Sequence, residues 1–295
     1  MTPLVRKRLR QVEVLHRNEE EGSRQDLIFC SRPFVLCGLP LRRPPKDTLL
    51  HTRRNGKFIL QVQAHPDFGL PFGQDRLIPI WVATLAVRQQ TRCVRFRSGS
   101  EMLAEFGLPR NGKHYRRLID GFRRVFTSTI YFGTDDRLSE RAIWEFTRFA
   151  FFDHMRLWYM KTHVSPDVPA TGNIITLSEQ FWNEIREHPI PADLNVVLAL
   201  VNAPGCLDLY LWLVWRCFKL KRDAEIPLFG AYGLCQQLGT DDYLRARDLR
   251  RTILRWLNDI QVFWPECPAS IGNDGRSLQL RPARPIHPAA ARSGS

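Results

Sequence analysis

The pattern of apolar and polar positions in TLLHTRRNGKFILQV, from Thr48 to Val62, places Asn55-Gly56 between two strand-like runs. Two such runs around an Asn-Gly pair predict a β-hairpin closed by a type I′ turn, because that turn needs positive φ at both central residues. DRLIPIWVATLAVRQQ reads as an amphipathic helix up to about Gln90, followed by the short strand CVRFR. Ser98 with Glu101 three residues on is a capping-box sequence, and the helix EMLAEFG that it opens should stop at Gly107, with Pro109 beyond. A second helix begins near Gly112 and runs to about Phe126. The β-branched and aromatic runs TIYFGT and AIWEFTRFAFF predict a hairpin, and RLWYMK and NIITL further strands, before a helix from Ser178 to Glu187.

Pro189 and Pro191 in HPIPAD interrupt this series, and a domain boundary is expected there. Beyond it the pattern predicts helices over Asp193–Leu200 and Cys206–Leu220, a short strand EIPLF, a helix AYGLCQQLG, a long helix from Asp242 to Ile260 and a strand-like QVFWP. One order recurs. EMLAEFGLPRNGKHYRRLIDGFRRVFTSTIYFG and YGLCQQLGTDDYLRARDLRRTILRWLNDIQVFW each contain a short helix ending in Gly, a turn, a long basic helix and an aromatic strand. Helix, turn, helix and hairpin is the order of a winged helix-turn-helix, whose second helix enters the DNA major groove.

The expected fold class is therefore α+β, two tandem winged-helix (winged helix-turn-helix) domains with extra β-hairpins in the first. The first domain spans 31–188 and the second 189–281. Residues 1–30, where Arg6, Lys7, Arg8 and Arg10 precede Glu19, Glu20 and Glu21 with few large apolar side chains between, are expected to form a mobile arm. The Pro- and Ala-rich end, 282–295, is expected to be disordered.

Composition narrows the function. A chain of 295 residues fits two domains, and 44% hydrophobic residues with 18 Phe and 8 Trp supply enough apolar area for their cores. A formal net charge of +13 favours a polyanionic partner. The richest apolar stretch, Leu207 to Phe218, is interrupted by Asp208 and Arg216 and falls well short of the roughly 20 residues that a membrane span needs. The basic start MTPLVRKRLRQVEV has no apolar run behind it, so a cytoplasmic protein is expected. Seven cysteines without a C-x-x-C pair point to buried thiols in a reducing compartment.

The chemistry concentrates on the two basic helices. In GKHYRRLIDGFRRVF, Tyr115, Leu118, Ile119, Phe122, Val125 and Phe126 recur at steps of three and four and commit one face to a core. Lys113, Arg116, Arg117 and Arg124 are expected on the opposite face, with Arg123 at its margin and only Asp120 interrupting. In the second copy Leu249, Ile253, Trp256, Leu257 and Ile260 form the apolar stripe, Arg247, Arg250, Arg251, Arg255 and Asn258 project away, and Arg245 stands at the entrance. Arginine holds phosphate and can also bond guanine O6 and N7 in a bidentate way. Lys113, Arg116, Arg247 and Arg250, nearest the helix starts, are the expected base readers, because the N-terminal part of a recognition helix faces base edges. A solvated face with salt bridges to Asp241, Asp242 and Asp248 is the plainer alternative for either helix alone.

Enzyme signatures are weak. GSGSEML lacks the Lys of a P-loop, and no His-hydrophobe-His motif is paired with a downstream Tyr. Asp135-Asp136 and Asp241-Asp242 are adjacent carboxylates, but turn and N-cap roles explain them more simply than metal-dependent phosphoryl transfer. The histidines are scattered. The expectation is a protein with no catalytic residue, no metal and no cofactor.

FGQDRLIPIWVATLAVRQQ, SGSEMLAEFGLPRNGKHYRRLIDGFRRVFTSTIYFGT and NIITLSEQFWNEIREHPIPAD together resemble plasmid-encoded RepA-type replication initiators, over about residues 30 to 280. The resemblance implies tandem winged-helix modules that bind repeated origin sequences (iterons) in double-stranded DNA and open the neighbouring duplex. It also implies recruitment of the host initiator DnaA and the replicative helicase, monomers on iterons, and homodimers in repression or copy control. It supports Lys113 to Arg124 and Arg245 to Arg255 as the DNA-facing helices. The arm departs from the family's pattern in lacking a leucine heptad, so the expected dimer surface is the β-rich stretch from Ile143 to Leu177. The alternative reading is a dimeric transcriptional repressor without a replication role.

Overall fold

The computed structural model describes residues 27–136, 143–157, 172–230, 233–238 and 245–283. The first half comprises β1 (Leu27–Cys30), α1 (Arg32–Leu36), β2 (Leu50–Asn55), β3 (Phe58–Gln63), a 3-10 turn (Gly73–Arg76), α2 (Leu77–Gln89), β4 (Cys93–Phe96), α3 (Gly99–Glu105), α4 (Gly112–Phe126), β5 (Thr129–Asp136), β6 (Ile143–Ala150), β7 (Phe152–Arg156), β8 (Asn173–Leu177) and α5 (Glu179–Glu187). The second comprises β9 (Ile190–Asp193), α6 (Leu194–Leu200), α7 (Pro204–Lys219), β10 (Ala224–Pro227), α8 (Leu234–Leu238), α9 (Ala246–Phe263), β11 (Ala269–Ile271) and β12 (Ser277–Leu280). The architecture is mixed α/β, and among the described residues the strands form four antiparallel sheets, ordered β2-β3-β5-β6, β4-β8-β7, β10-β12-β11 and β1-β9.

Local chemistry accounts for most boundaries. In the β2–β3 hairpin Asn55 pairs with Phe58, so the two-residue loop is Gly56-Lys57, one step later than Asn55-Gly56. Gly56 has φ 59° and Lys57 does not share the positive φ, which is the II′ arrangement with Gly first rather than I′. At α3 the Ser98 side chain makes no capping bond; the Arg97 N–H instead donates to Glu101 Oε1 at 3.1 Å. The helix stops as its sequence predicts, with Gly107 at φ 58° and the Leu108 N–H donating to Leu103 O at 2.7 Å. Helix α4 spans the expected Gly112–Phe126, its first turn capped by Asn111 Oδ1 accepting from the His114 N–H at 3.0 Å.

Four expectations need correction. Helix α2 is not amphipathic: Leu77 to Thr84 and Ala86 are all buried, so it is a central helix with apolar neighbours all round. The sequence LIFC, assigned to the mobile arm, is β1, and the break IPAD is its partner strand β9, with Leu27 opposite Asp193 and Cys30 opposite Ile190. QVF of QVFWP continues α9, where Phe263 falls in register with Trp256 and Ile260 on the buried stripe. The hairpin after α9 is β11–β12, further along than that aromatic run. Residues 1–26 of the arm, 284–295 of the tail, 158–161 of RLWYMK and 242–244 of the long basic helix lie outside the described residues.

One cluster of buried apolar side chains runs from Ile28 to Leu280 and includes Trp81, Phe106, Phe122, Phe181, Tyr210 and Trp212. It crosses the position of Pro189 and Pro191, as does the β1–β9 pairing. A third link is a buried ion pair between Arg76 and Asp208 of α7, with side chains 5% and 8% exposed. The same guanidinium donates from Nε to Gly73 O at 2.7 Å and from Nη2 to Leu39 O at 3.1 Å and Pro40 O at 3.0 Å. Burial pushes the Asp208 carboxyl up, and the Arg76 guanidinium opposes that rise. All seven cysteines are free thiols; burial raises Cys37 and Cys217 to about 12 and Cys267 to about 11, so these sulfurs are inert core groups.

Candidate nucleic-acid interface

Helix α4 buries Leu118, Ile119, Gly121, Phe122 and Val125 and holds Tyr115 and Phe126 half-buried. Gly121 is required at the crossing with the 3-10 turn and α2: a Cβ there would lie 2.7 Å from Asp75 Oδ1 and 3.0 Å from Ile78 Cδ1. The exposed face carries Lys113, Arg116, Arg117 and Arg123. Arg123 pairs with Asp120 at 3.4 Å, three residues earlier on the same helix. That is a solvent-exposed pair of small energetic weight, which a phosphate can replace.

Arg124 is a correction. It is 12% exposed and turned inward, where Nε and Nη2 reach Asp75 Oδ2 and Oδ1 at 2.7 and 3.0 Å. Its guanidinium also lies 4.8 Å from the centre of the Phe72 ring. Asp75 Oδ2 accepts the Phe72 N–H at 3.0 Å as well, so the carboxylate is satisfied from both sides. Arg124 is a fastening between α4 and the 3-10 turn, and no longer a candidate DNA ligand.

Helix α9 buries Leu249, Thr252, Ile253, Trp256, Leu257, Ile260 and Phe263. Its close approach to α7 depends on Gly205, where a Cβ would lie 2.4 Å from the Trp256 ring. Arg245, Arg247, Arg250, Arg251 and Arg255 are exposed, as is Asn258. Arg251 pairs with Asp248 at 3.4 Å; Asp241 and Asp242 lie outside the described residues. Arg250 rests on the turn of the β11–β12 hairpin, since a Cβ on Gly275 would fall 2.5 Å from its Cζ. The guanidinium is thereby steered rather than left to sweep through solvent.

The same local order therefore occurs twice: α3, turn, α4 and the β5–β6 hairpin, then α8, α9 and the β11–β12 hairpin. Nine of the ten sequence-derived candidates are exposed along α4 and α9, or at the latter's entrance, and one is internal. Arg42, Arg43 and Lys46 are exposed on the loop between α1 and β2 and carry no periodic signal in the sequence. Among the described residues no group of three His, Cys, Asp or Glu side chains is placed to hold a metal, and no helix is long and apolar enough to cross a membrane.

A mixed α/β chain with two exposed basic helices on one core is the class that fold and surface define. Residues 120–229 match the family model described as plasmid encoded RepA protein, so the RepA-type resemblance read from the sequence is shown on that segment. The matched segment begins within α4 and ends after β10; Arg123 and Arg124 lie inside it, and Lys113, Arg116, Arg117 and the arginines of α9 outside. Among solved structures, the crystal structure of selenomethionine derivatives of domain 2 and domain 3 of RctB is similar at a TM-score of 0.50 and 15% identity, covering 82% of this chain and 93% of that one. The crystal structure of RctB domains 2-3 matches at 0.45 and 12%, covering 81% and 92%. These identities speak to fold alone. No curated protein matches the chain.

Proposed function

We propose that the chain is a plasmid replication initiator that binds repeated origin sequences in double-stranded DNA from the bacterial cytoplasm. The observation that carries this reading is the repeated order: a short helix, then a long helix with its apolar face buried and its basic face exposed, then an antiparallel hairpin. We read each unit as a winged helix-turn-helix, with α4 and α9 in the major groove. Lys113, Arg116, Arg247 and Arg250 sit in the N-terminal parts of those helices and are the base readers; Arg117, Arg123, Arg245, Arg251 and Arg255 hold phosphates. The reading assigns no catalytic step. Opening of the adjacent duplex, recruitment of DnaA and helicase, and homodimers belong to it as consequences of the RepA resemblance.

The test is a gel-shift titration of purified protein on tiled duplex fragments flanking its own gene, with excess nonspecific competitor. A ladder of discrete shifts on tandem repeats supports the initiator. A single shift on a palindrome would support a dimeric repressor instead, and no specific shift would remove both.

A further inference from the structure

The segment Leu41-Arg42-Arg43-Pro44-Pro45-Lys46 crosses the surface between the two basic helices. Its start is held from inside. Buried Arg76 donates to the carbonyls of Leu39 and Pro40, and the Gly73 N–H donates to Pro40 O at 2.9 Å. A Cβ on Gly73 would lie 3.6 Å from Leu41 O and 3.8 Å from Arg117 Nη2, which puts the segment beside α4. A Cβ on Gly205 would lie 3.3 Å from Leu41 Cδ1 and 2.4 Å from the Trp256 ring, which puts the same residue beside α9. Arg43 lies 6.0 Å from the Phe72 ring that also receives Arg124 at 4.8 Å. Beyond Leu41, Arg42, Arg43 and Lys46 are exposed, and Asp47 is the only acidic residue nearby in the run.

We infer that this loop is a third DNA contact, in which Arg42, Arg43 and Lys46 take backbone phosphates on the stretch of duplex between those engaged by α4 and α9. The inference rests on the proposed reading of those two helices and extends it. Two consecutive prolines hold φ near −65°, so little conformational freedom remains to be lost when a phosphate is taken. Three cations on a preset backbone, anchored to the residue pair that joins both halves, contribute affinity without sequence preference.

The test is fluorescence anisotropy of the full chain against a random-sequence 30-base-pair duplex over a series of salt concentrations. Each phosphate contact contributes about 0.9 to the slope of log affinity against log salt. The variant Arg42→Ala/Arg43→Ala/Lys46→Ala is expected to flatten the wild-type slope by about two to three units and to weaken binding of specific and random duplex by the same factor. Arg42→Lys/Arg43→Lys keeps the charges and is expected to keep the slope. An unchanged slope in the alanine variant overturns the inference, as does a lysine variant that flattens as much as the alanine one, because the loop would then act through its shape. Wild type that shows no salt-dependent duplex binding would instead remove the initiator reading itself, so the two failures are distinguishable.

Discussion

Helices α4 and α9 look alike as sequences and differ in what faces them. Both carry several arginines behind an apolar stripe whose residues recur at steps of three and four. Near the C-terminal end of α4 the neighbouring 3-10 turn presents a carboxylate, Asp75, and an aromatic ring, Phe72, and Arg124 closes onto both. Across from α9 the neighbour is α7, which offers Gly205 and an apolar wall to Trp256, and the arginines of α9 remain on the exposed side. A cationic stripe therefore does not by itself define an interface. The element packed alongside decides which cations fasten the fold and which meet a ligand.

The largest test of this contrast replaces one arginine on each helix. Arg124→Ala leaves Asp75 buried without its guanidinium, and the loss of stability in urea denaturation is expected to be about 3 kcal/mol, in the range for breaking a buried pair from one side. Arg255→Ala should leave the urea midpoint unchanged. Equal effects would erase the distinction.

Acid sharpens the contrast next, through His51 on β2. Burial holds this imidazole down to about 4, with Arg53 opposing its protonation too, and its Nε2 lies 3.0 Å from Gly38 O. The folded pKa is depressed below the usual 6.5, so the unfolded chain binds a proton first. Stability is complete above about pH 6.5 and falls as pH drops towards 4. At pH 5 the expected loss from this group is about 2 kcal/mol relative to pH 7. It is read as the difference between wild type and His51→Gln in parallel urea titrations, and identical pH profiles would rule it out.

The smallest effect in energy is the one nearest function. Arg116→Ala/Arg117→Ala on α4 and Arg250→Ala/Arg251→Ala on α9 should each weaken duplex binding at least tenfold, about 1.4 kcal/mol. Thermal midpoints should stay in place for the α4 pair and shift slightly for the α9 pair, because Arg250 leans on the Gly275 turn. A large drop in melting temperature for the α4 pair would mean its exposed face was misassigned.

The same contrast explains what the sequence made legible. Helix α4 was readable near both of its ends, because its apolar steps, and the glycine at 107 that stops the helix before it, are local signals that act within a few positions. The β2–β3 hairpin was readable for that reason too, and its turn slipped by one residue only because Gly56 prefers the first central position here. Strands β1 and β9 were not readable: each has four residues, and their pairing spans 160 to 166 positions. The burial of α2 on all sides, and the helical state of Gln261 to Phe263 against their aromatic and β-branched composition, were set by packing rather than by propensity. The inward turn of Arg124 depended on a carboxylate 49 residues upstream. Arg42, Arg43 and Lys46 gained their interest only from the two helices on either side.

The β1–β9 ladder also bears on how the chain is made. A strand that emerges early from the ribosome has no partner until Asp193 has been synthesised, and Arg76 has no counter-ion until Asp208 follows. The amino-terminal half must therefore wait during translation with an unpaired edge and an unmatched internal charge, which makes folding dependent on distant contacts and slow. A chain ending at residue 188 should come off the ribosome as aggregation-prone material, while the chain continued past α7 should not.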